Sequence, residues 1–229
     1  MESKCDVQKR FSSELFDCLQ VLDGTGLEYW LDCGTLLGAH RDNSFIKWDN
    51  DIDLGILPDQ VDRIVGLKQE LKNAGFEVTV VSYRGKVQLV QCCRHKPPVN
   101  FNVYHDGGEK YWSLWMVADN SFSRMNMRLI HQKSNLSRVY RSVVKVARSL
   151  IPKHVVSRLF RDKMLVIEVP RAFFERPEEI SFMGHRFYVP ANREAYLEYR
   201  YGKDWRTPCQ DWVYSRDDGA ASGHRPGSR

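Results

Sequence analysis

The feature that most constrains the fold of this chain is an alternation of acidic and aliphatic side chains across residues 49–56. Side chains of a β-strand point alternately to opposite faces, so the pattern predicts a strand with one apolar face and one acidic face. The apolar face consists of Ile52, Leu54 and Ile56. Asp51 and Asp53 share the other face, where two carboxylates can hold Mg²⁺ against a phosphate. The stretch therefore predicts a core strand and a candidate metal site together.

A glycine-led pair, Gly34-Thr35, precedes this strand along the chain. We expect it to form a turn whose backbone N–H groups touch the phosphates of a donor substrate. Arg41 and Lys47 lie in the loop between the turn and the strand, where they can reach the same phosphate oxygens. A phosphate-binding turn followed by paired carboxylates is the arrangement that a nucleotidyl- or phosphotransferase needs. We therefore assign Asp51, Asp53 and Arg41 to catalysis.

The rest of the chain is organised as alternating strands and helices. Helical periodicity and capping signals favour three further segments, and short apolar runs between turn residues favour strands and hairpins. We expect helices over residues 7–24, 58–75 and 191–201, and a helix that starts within 35–39. Strands are expected over 27–32, 99–104, 110–117 and 165–169, with 110–117 as the hairpin partner of 99–104. Hairpins are expected over 76–82 with 86–93 about Arg84-Gly85, and over 179–189 about Met183-Gly184. This order predicts an α+β fold in which helices pack on a mixed sheet.

Charge is concentrated in one part of this 229-residue chain, whose net charge is +5. The segment 138–163 holds eight basic residues and one acid. We expect a catalytic core over 1–136, a basic helical segment over 137–163, the C-terminal part of the same domain over 164–216, and a disordered tail over 217–229. The basic segment is either a solvated helix face or a contact for an anionic glycan or membrane surface. It matches no nucleic-acid-binding module, so we expect no nucleic acid partner.

Compartment is predicted from what the sequence lacks. No apolar run approaches the length of a membrane span, and the N-terminus has no signal-peptide core. The six cysteines are scattered and form no disulfide framework. We expect a cytoplasmic protein, with peripheral contact at the inner membrane face through the basic segment.

Two long motifs resemble a known family. The first runs over residues 31–41, Leu-Asp-Cys-Gly-Thr-Leu-Leu-Gly-Ala-His-Arg, and continues over 45–55, Phe-Ile-Lys-Trp-Asp-Asn-Asp-Ile-Asp-Leu-Gly. The second runs over 189–208 and contains Tyr-Leu, Tyr-Gly, Trp and Pro in that order. Together they resemble the LicD family, which includes bacterial phosphocholine transferases and has fukutin and the fukutin-related protein as relatives.

The resemblance implies a nucleotidyltransferase-like fold and a specific reaction. An enzyme of this type moves a phospho-group, such as phosphocholine or a phospho-alditol, from a CDP-activated donor to a hydroxyl of a glycan or lipid-linked glycan. By the same resemblance, Asp51 and Asp53 bind Mg²⁺ or Mn²⁺, and Gly34 and Thr35 touch the donor phosphates.

One strand departs from the family pattern. Relatives often carry a third acid on a later strand, but here that strand has Asn100 and Asn102. An amide is neutral and a poor general base. The third role falls to Asp106, Glu109 or a distant acid such as Glu168, or it is weakened or lost. The general base is Asp53 itself or that third acid, and His40 is a less favoured candidate. Asp49 is expected either to begin the strand or to support the metal ligands from behind them, rather than to bind metal itself.

Two other functions fit the same residues. A nucleotidyltransferase would use the same turn and carboxylates but release pyrophosphate from a triphosphate. A non-catalytic relative would bind nucleotide or glycan without turnover, and the asparagines on the later strand favour that alternative. Several aromatic residues are expected to pack in the core rather than bind donor: Trp30, Trp48, Tyr196, Tyr201 and Trp205.

Overall fold

The computed structural model describes residues 4–118 and 162–222. The basic helical segment expected over 137–163 lies outside the described residues, except for Asp162 and Lys163, which begin a strand instead of continuing a helix. Contacts divide the chain into two compact units, residues 1–113 with 166–229, and residues 114–165. Of the second unit, the structure describes only the ends of two strands.

The first unit is built on a seven-stranded mixed sheet. Its strands are β1 (Trp30–Leu31), β2 (Ile52–Ile56), β3 (Glu77–Tyr83), β4 (Lys86–Cys93), β5 (Val99–Val103), β9 (Glu178–Phe182) and β10 (His185–Val189). They lie in the order β3-β4-β5-β2-β1-β10-β9. β2 runs parallel to β5 and β1 parallel to β10, and the other neighbours are antiparallel. The predicted α+β mixed sheet is confirmed.

A second sheet has three strands, in the order β6-β7-β8. They are β6 (His105–Asp106), β7 (Lys110–Ala118) and β8 (Asp162–Pro170). We expected residues 110–117 to pair with the strand at 99–104, and this is wrong. The chain turns at Gly107 and Gly108, so β7 folds back on β6 and pairs Trp112 with His105.

Helices pack on the main sheet through apolar stripes. They are α1 (Lys4–Leu22), α2 (Cys33–Asp42), α3 (Val61–Val65), α4 (Lys68–Asn73), α5 (Arg193–Tyr201) and α6 (Tyr214–Asp217). α1 buries side chains spaced three or four residues apart, namely Val7, Phe11, Leu15, Cys18 and Leu22. The helix expected over 58–75 is interrupted: a 3₁₀ turn at Pro58–Gln60 leads into α3, and α4 follows separately. Among the described residues, no helix combines the length and apolarity that crossing a membrane requires.

Strand β2 lies near the middle of the sheet, and its aliphatic face is core. Ile52, Leu54 and Ile56 are fully buried, as the alternation predicts. The opposite face is covered at Gly55 by the indole of Trp30, which a Cβ at that position would overlap. Trp48 differs from expectation, because its side chain is 38% exposed in the loop before β2.

The C-terminal tail differs from the expectation of disorder over 217–229. Asp218, Ala220 and Ala221 are buried, and Ala221 forms a bridge with Ile167 of β8. Small residues that suggest a flexible tail are here the ones that fit closely, since a Cβ on Gly219 would overlap the carbonyl of Tyr199. Residues 223–229 lie outside the described residues.

Candidate active site

Gly34 and Thr35 lie in the first turn of α2 and not in a separate turn, so that part of the sequence prediction is wrong. The helix begins earlier than expected because Asp32 is its N-cap and accepts a hydrogen bond from the Cys33 N–H at 2.9 Å. Cys33 has a φ of 47°, which turns the chain sharply from β1 into the helix.

This first turn holds the acid-bearing strand by its backbone. The N–H of Asp53 donates to the hydroxyl of Thr35 at 2.8 Å, and the carbonyl of Asp53 accepts from the N–H of Asp32 at 3.1 Å. Thr35 is 2% exposed. Thr35 therefore holds the backbone of β2 in place, and its contact with donor phosphates stays a prediction.

Gly34 allows a close approach by a third carboxylate. A Cβ at Gly34 would overlap Oδ2 of Asp49 and lie 3.2 Å from its Cγ. Asp49 does not begin the strand, because β2 starts at Ile52. It lies in the preceding loop, accepts from the Asn50 N–H at 2.9 Å, and is hydrogen-bonded to Asp51. The predicted strand over 49–56 would also have put Asp49 on the face of Asp51, and the structure keeps the two carboxylates in contact although Asp49 lies in the preceding loop.

The asparagines of β5 gather the carboxylates of the neighbouring strand. Nδ2 of Asn100 donates to Oδ2 of Asp51 at 3.0 Å and to Oδ1 of Asp53 at 3.3 Å. Nδ2 of Asn102 donates to the same Asp53 oxygen at 3.1 Å. Nε2 of Gln91 donates to Oδ1 of Asn100 at 2.8 Å, which holds its amide nitrogen toward the acids. Asp51 and Asp53 are thus side by side, as the alternation predicts.

Burial makes these acids hard to ionise. It raises the pKa of Asp49 to about 6, with the negative charge of Asp53 adding to the effect. It raises the pKa of Asp51 to about 7, with Asp49 as the next cause. The pKa of Asp53 is raised well above its usual value, again by burial first and then by the charges of Asp51 and Asp32. Carboxylates packed together in this way favour a proton or a cation among them.

The residues present fit a Mg²⁺ ion that shares its ligands with a substrate. In the part of the chain that the structure describes, no three acidic, histidine or cysteine side chains are arranged as a complete metal site. Mg²⁺ usually needs only one or two protein carboxylates, because waters and substrate phosphates supply its other ligands. Asp51 and Asp53 form such a pair, and within the described residues neither forms an ion pair with a basic side chain. Together with Asp49, they make the candidate metal edge.

The predicted phosphate-binding cations lie in different surroundings. The guanidinium of Arg41 binds the carboxylate of Asp42, with Nη2 at 2.7 Å, and Nη1 donates to the carbonyl of Trp205 at 3.5 Å. It therefore ties the end of α2 to the residues after α5. Lys47 is exposed in the loop that leads to Asp49.

Comparison with known proteins assigns the chain to a family. A family model described as LicD/FKTN/FKRP, nucleotidyltransferase domain, matches residues 26–192, well over half of the chain. This chain belongs to that family. The matched range contains the first turn of α2, the candidate metal edge and the asparagines of β5.

Individual relatives of the LicD family match a shorter segment. A stretch of 67 residues, 29% of this chain, is 51% identical to proteins named ribitol 5-phosphate transferase FKRP from Mus musculus and Homo sapiens, and covers 13% and 12% of them. A stretch of 62 residues is 31% identical to the Rickettsia typhi protein named uncharacterized protein RT0683 and covers 27% of this chain and 20% of that protein. The matches therefore span about a fifth or less of these relatives.

Two of the acids proposed as replacements for the family's third carboxylate, Asp106 and Glu168, lie on the second sheet, and Glu109 lies in the turn between its strands β6 and β7. Asp106 of β6 binds Arg171, and Glu168 of β8 pairs with Lys110 at 3.6 Å. The carboxylate that does reach Asp51 is Asp49. His40 packs against α5, where its Nδ1 accepts from Nε of Arg193 at 3.2 Å.

The sequence analysis did not find one group of buried polar residues next to the site. A buried network joins Asp32 to residues far along the chain, namely Tyr104, Tyr196, Arg200 and Asp218, all of them fully buried. Tyr196 was expected to be core, which is confirmed, but its hydroxyl donates to Asp32 at 2.5 Å. Only the spacing Tyr-x-x-x-Arg on one helical face could have indicated that a phenol and a guanidinium act together.

Proposed function

We propose that this protein is a Mg²⁺-dependent transferase that moves a phospho-group from a CDP-activated donor to a hydroxyl of a glycan or lipid-linked glycan. The observation that carries the proposal is the pair Asp51 and Asp53, held side by side by the amide of Asn100 at the edge of β2. Membership of the LicD/FKTN/FKRP family supports the reaction class. The relatives named ribitol 5-phosphate transferase support a phospho-alditol as the transferred group.

In this proposal the chain's own residues divide the work. Asp51 and Asp53 hold the metal, and Asn100 keeps the two carboxylates aligned. Mg²⁺, when bound there, neutralises charge on the donor phosphates and stabilises the CMP leaving group. Lys47, exposed beside Asp49, is the proposed contact for the outer phosphate oxygens.

We assign the acceptance of the acceptor hydroxyl's proton to Asp49. A general base works best when its pKa lies near the working pH. Burial raises the pKa of Asp49 to about 6, and Asp49 is in contact with Asp51 without being one of the two proposed metal ligands. Arg41 is assigned an indirect role, because its guanidinium already binds Asp42 and the Trp205 carbonyl.

The site of action stays a proposal from the sequence. Contact between the basic segment 138–163 and an anionic membrane or glycan rests on its eight basic residues. Most of this segment lies outside the described residues.

The deciding experiment supplies purified protein with Mg²⁺ and a panel of CDP-linked donors and measures CMP release. We expect release with at least one donor, and a fall of about a hundredfold or more in Asp51→Asn and Asp53→Asn, since a metal contributes several kcal/mol to phosphoryl transfer. The exposed Asp62→Asn on α3 is the matched control and should retain wild-type turnover.

Other outcomes separate the alternatives. Unchanged turnover in both Asp variants would disprove the assignment of the metal pair. Release of pyrophosphate from CTP, with no CMP from any CDP donor, would identify a nucleotidyltransferase. Binding of CDP without release of CMP would identify a non-catalytic relative, which the neutral asparagines of β5 favour.

A further inference from the structure

We propose that Tyr196 and Arg200 of α5 are positioning residues for Asp53, acting through the buried carboxylate of Asp32. The proposal rests on the proposed function for its effect on turnover. Its structural content is that the end of the chain, outside residues 26–192 that the family model matches, completes the candidate metal edge.

Hydrogen-bond donors surround the carboxylate of Asp32. Its side chain is fully buried and accepts hydrogen bonds through both oxygens. Oδ1 accepts from the hydroxyl of Tyr196 at 2.5 Å and from the Cys33 N–H at 2.9 Å, and Oδ2 accepts from the hydroxyl of Tyr104 at 2.7 Å. Nη1 of Arg200 approaches Oδ1 at 3.5 Å. The carboxylate therefore has little freedom to rotate or to shift.

Hydrogen bonds of the Asp53 backbone connect it to Asp32 and to the first turn of α2. The N–H of Asp32 donates to the Asp53 carbonyl, and the Asp53 N–H donates to the hydroxyl of Thr35, three residues along α2. Both polar backbone groups of Asp53 are thus bound to the first turn of α2. Because Asp32 is the N-cap of that turn, a displacement of its carboxylate moves both contacts.

Hydrogen bonds to Asp218 and Tyr196 fix the guanidinium of Arg200. Nε of Arg200 donates to Oδ1 of Asp218 at 2.9 Å, Nη2 donates to Oδ2 at 2.6 Å, and Nη1 donates to the Tyr196 hydroxyl at 2.9 Å. This two-point contact orients the remaining face of Arg200 toward Tyr196 and Asp32. Arg200 and Asp218 are both fully buried, so water cannot substitute for either partner.

Stability alone does not account for such a network. A buried ion pair contributes little net stability, because desolvation offsets most of the attraction, and apolar side chains of similar size often serve the fold as well. What the polar groups add is one defined position for Asp32, and through it for Asp53. The experiment therefore has to separate an effect on the position of Asp53 from an effect on the stability of the fold.

The test compares two changes on the same helix. Tyr196→Phe removes the hydroxyl that contacts Asp32, while Tyr199→Phe removes a hydroxyl that donates to the Glu168 carbonyl at 2.9 Å, away from Asp32. Tyr104→Phe removes the other phenol from Asp32 and serves as an independent second variant. The readouts are the hydrogen-exchange rate of the Asp53 N–H by NMR in the metal-free protein, and kcat and KM for the active CDP donor.

We expect the Asp53 N–H to exchange about tenfold faster in Tyr196→Phe and Tyr104→Phe than in Tyr199→Phe, after correction for global stability measured by urea unfolding. We also expect kcat to fall about tenfold with KM for the donor unchanged, as for an interaction that aligns the reacting groups. Tyr199→Phe should retain wild-type kcat.

Equal Asp53 exchange in all three variants would overturn the proposal, as would a kcat that follows stability alone. The exchange measurement needs no turnover. If the wild-type protein releases no CMP, the proposed function fails, and the exchange rates still decide whether the Tyr196 hydroxyl positions Asp53 through Asp32.

Discussion

At the scale of single residues, the ionisation of Asp49 and Asp51 makes the stability of the metal-free protein depend on pH. Burial raises the pKa of Asp49 to about 6 and that of Asp51 to about 7. A carboxyl with a higher pKa in the folded state stabilises the fold below its unfolded pKa, and this contribution is lost as the pH rises through the folded value. We therefore expect the metal-free protein to lose on the order of 3 kcal/mol of unfolding free energy between about pH 5 and about pH 8.

Urea unfolding of wild type and Asp51→Asn at both pH values checks this expectation. The variant has lost one titrating group and should depend less on pH, while the exposed Asp62→Asn should behave as wild type. Mg²⁺ should restore wild-type stability at the higher pH and have less effect on Asp51→Asn. An equal pH dependence in wild type and Asp51→Asn would show that the carboxylates are not buried together.

Single residues also mark the limit of what the sequence predicts. The alternation of side chains in β2 placed Asp51 and Asp53 correctly, because the strand period is a local property. Asp49 was expected to begin the strand, whereas β2 starts at Ile52 and Asp49 contacts Asp51 from the preceding loop. Asp32 was missed altogether, since its partners Tyr196 and Arg200 follow more than a hundred residues later and no local pattern connects them.

At the scale of elements, the pairing of α2 with β2 explains why the two halves of the first motif occur together. The sequence suggested a turn that binds phosphate, but the capping residue Asp32 starts a helix whose first turn binds the backbone of Asp53. Hairpins such as β3–β4 were predicted because Arg84-Gly85 is a local turn signal. The order of strands across the sheet has no comparable local signal.

Gly34→Ala tests how closely α2 approaches the loop before β2. The added Cβ would overlap Oδ2 of Asp49, and the side chain of Asp49 can rotate away, so the fold should survive at a cost of roughly 1 kcal/mol. We expect affinity for Mg²⁺, measured by isothermal titration, to fall by about tenfold as Asp49 leaves Asp51.

A double-mutant cycle identifies the cause of the Gly34→Ala effect. In an Asp49→Ala background the overlapping carboxylate is absent, so the same glycine substitution should cost little further affinity or stability. Additive effects of Gly34→Ala and Asp49→Ala would contradict the close approach between α2 and the Asp49 loop.

At the scale of the whole molecule, the main sheet is continuous between distant parts of the chain. β1 and β2 come from the first motif, whereas β10, which pairs with β1, lies next to the second. The order of strand and helix patterns predicted the mixed sheet with its helices. The burial of the C-terminal residues was not predicted, because glycine, serine and alanine are common both in flexible tails and in close packing. The C-terminal residues are buried here because Asp218 binds the buried guanidinium of Arg200 through both carboxylate oxygens.

The C-terminal residues should therefore matter as much to the fold as an internal element. A chain ending at residue 216 lacks Asp218, the Ile167–Ala221 bridge and the hydrogen bond from the Glu168 N–H to the Ala220 carbonyl at 2.8 Å. Leaving Arg200 buried without its carboxylate should cost about 3–5 kcal/mol, a large part of a typical domain's stability. A chain ending at residue 222 keeps these contacts and is the matched control. Urea unfolding should give this control the midpoint of the full chain and the shorter chain a clearly lower one, whereas equal midpoints would mean that the Arg200–Asp218 pair does not support the fold.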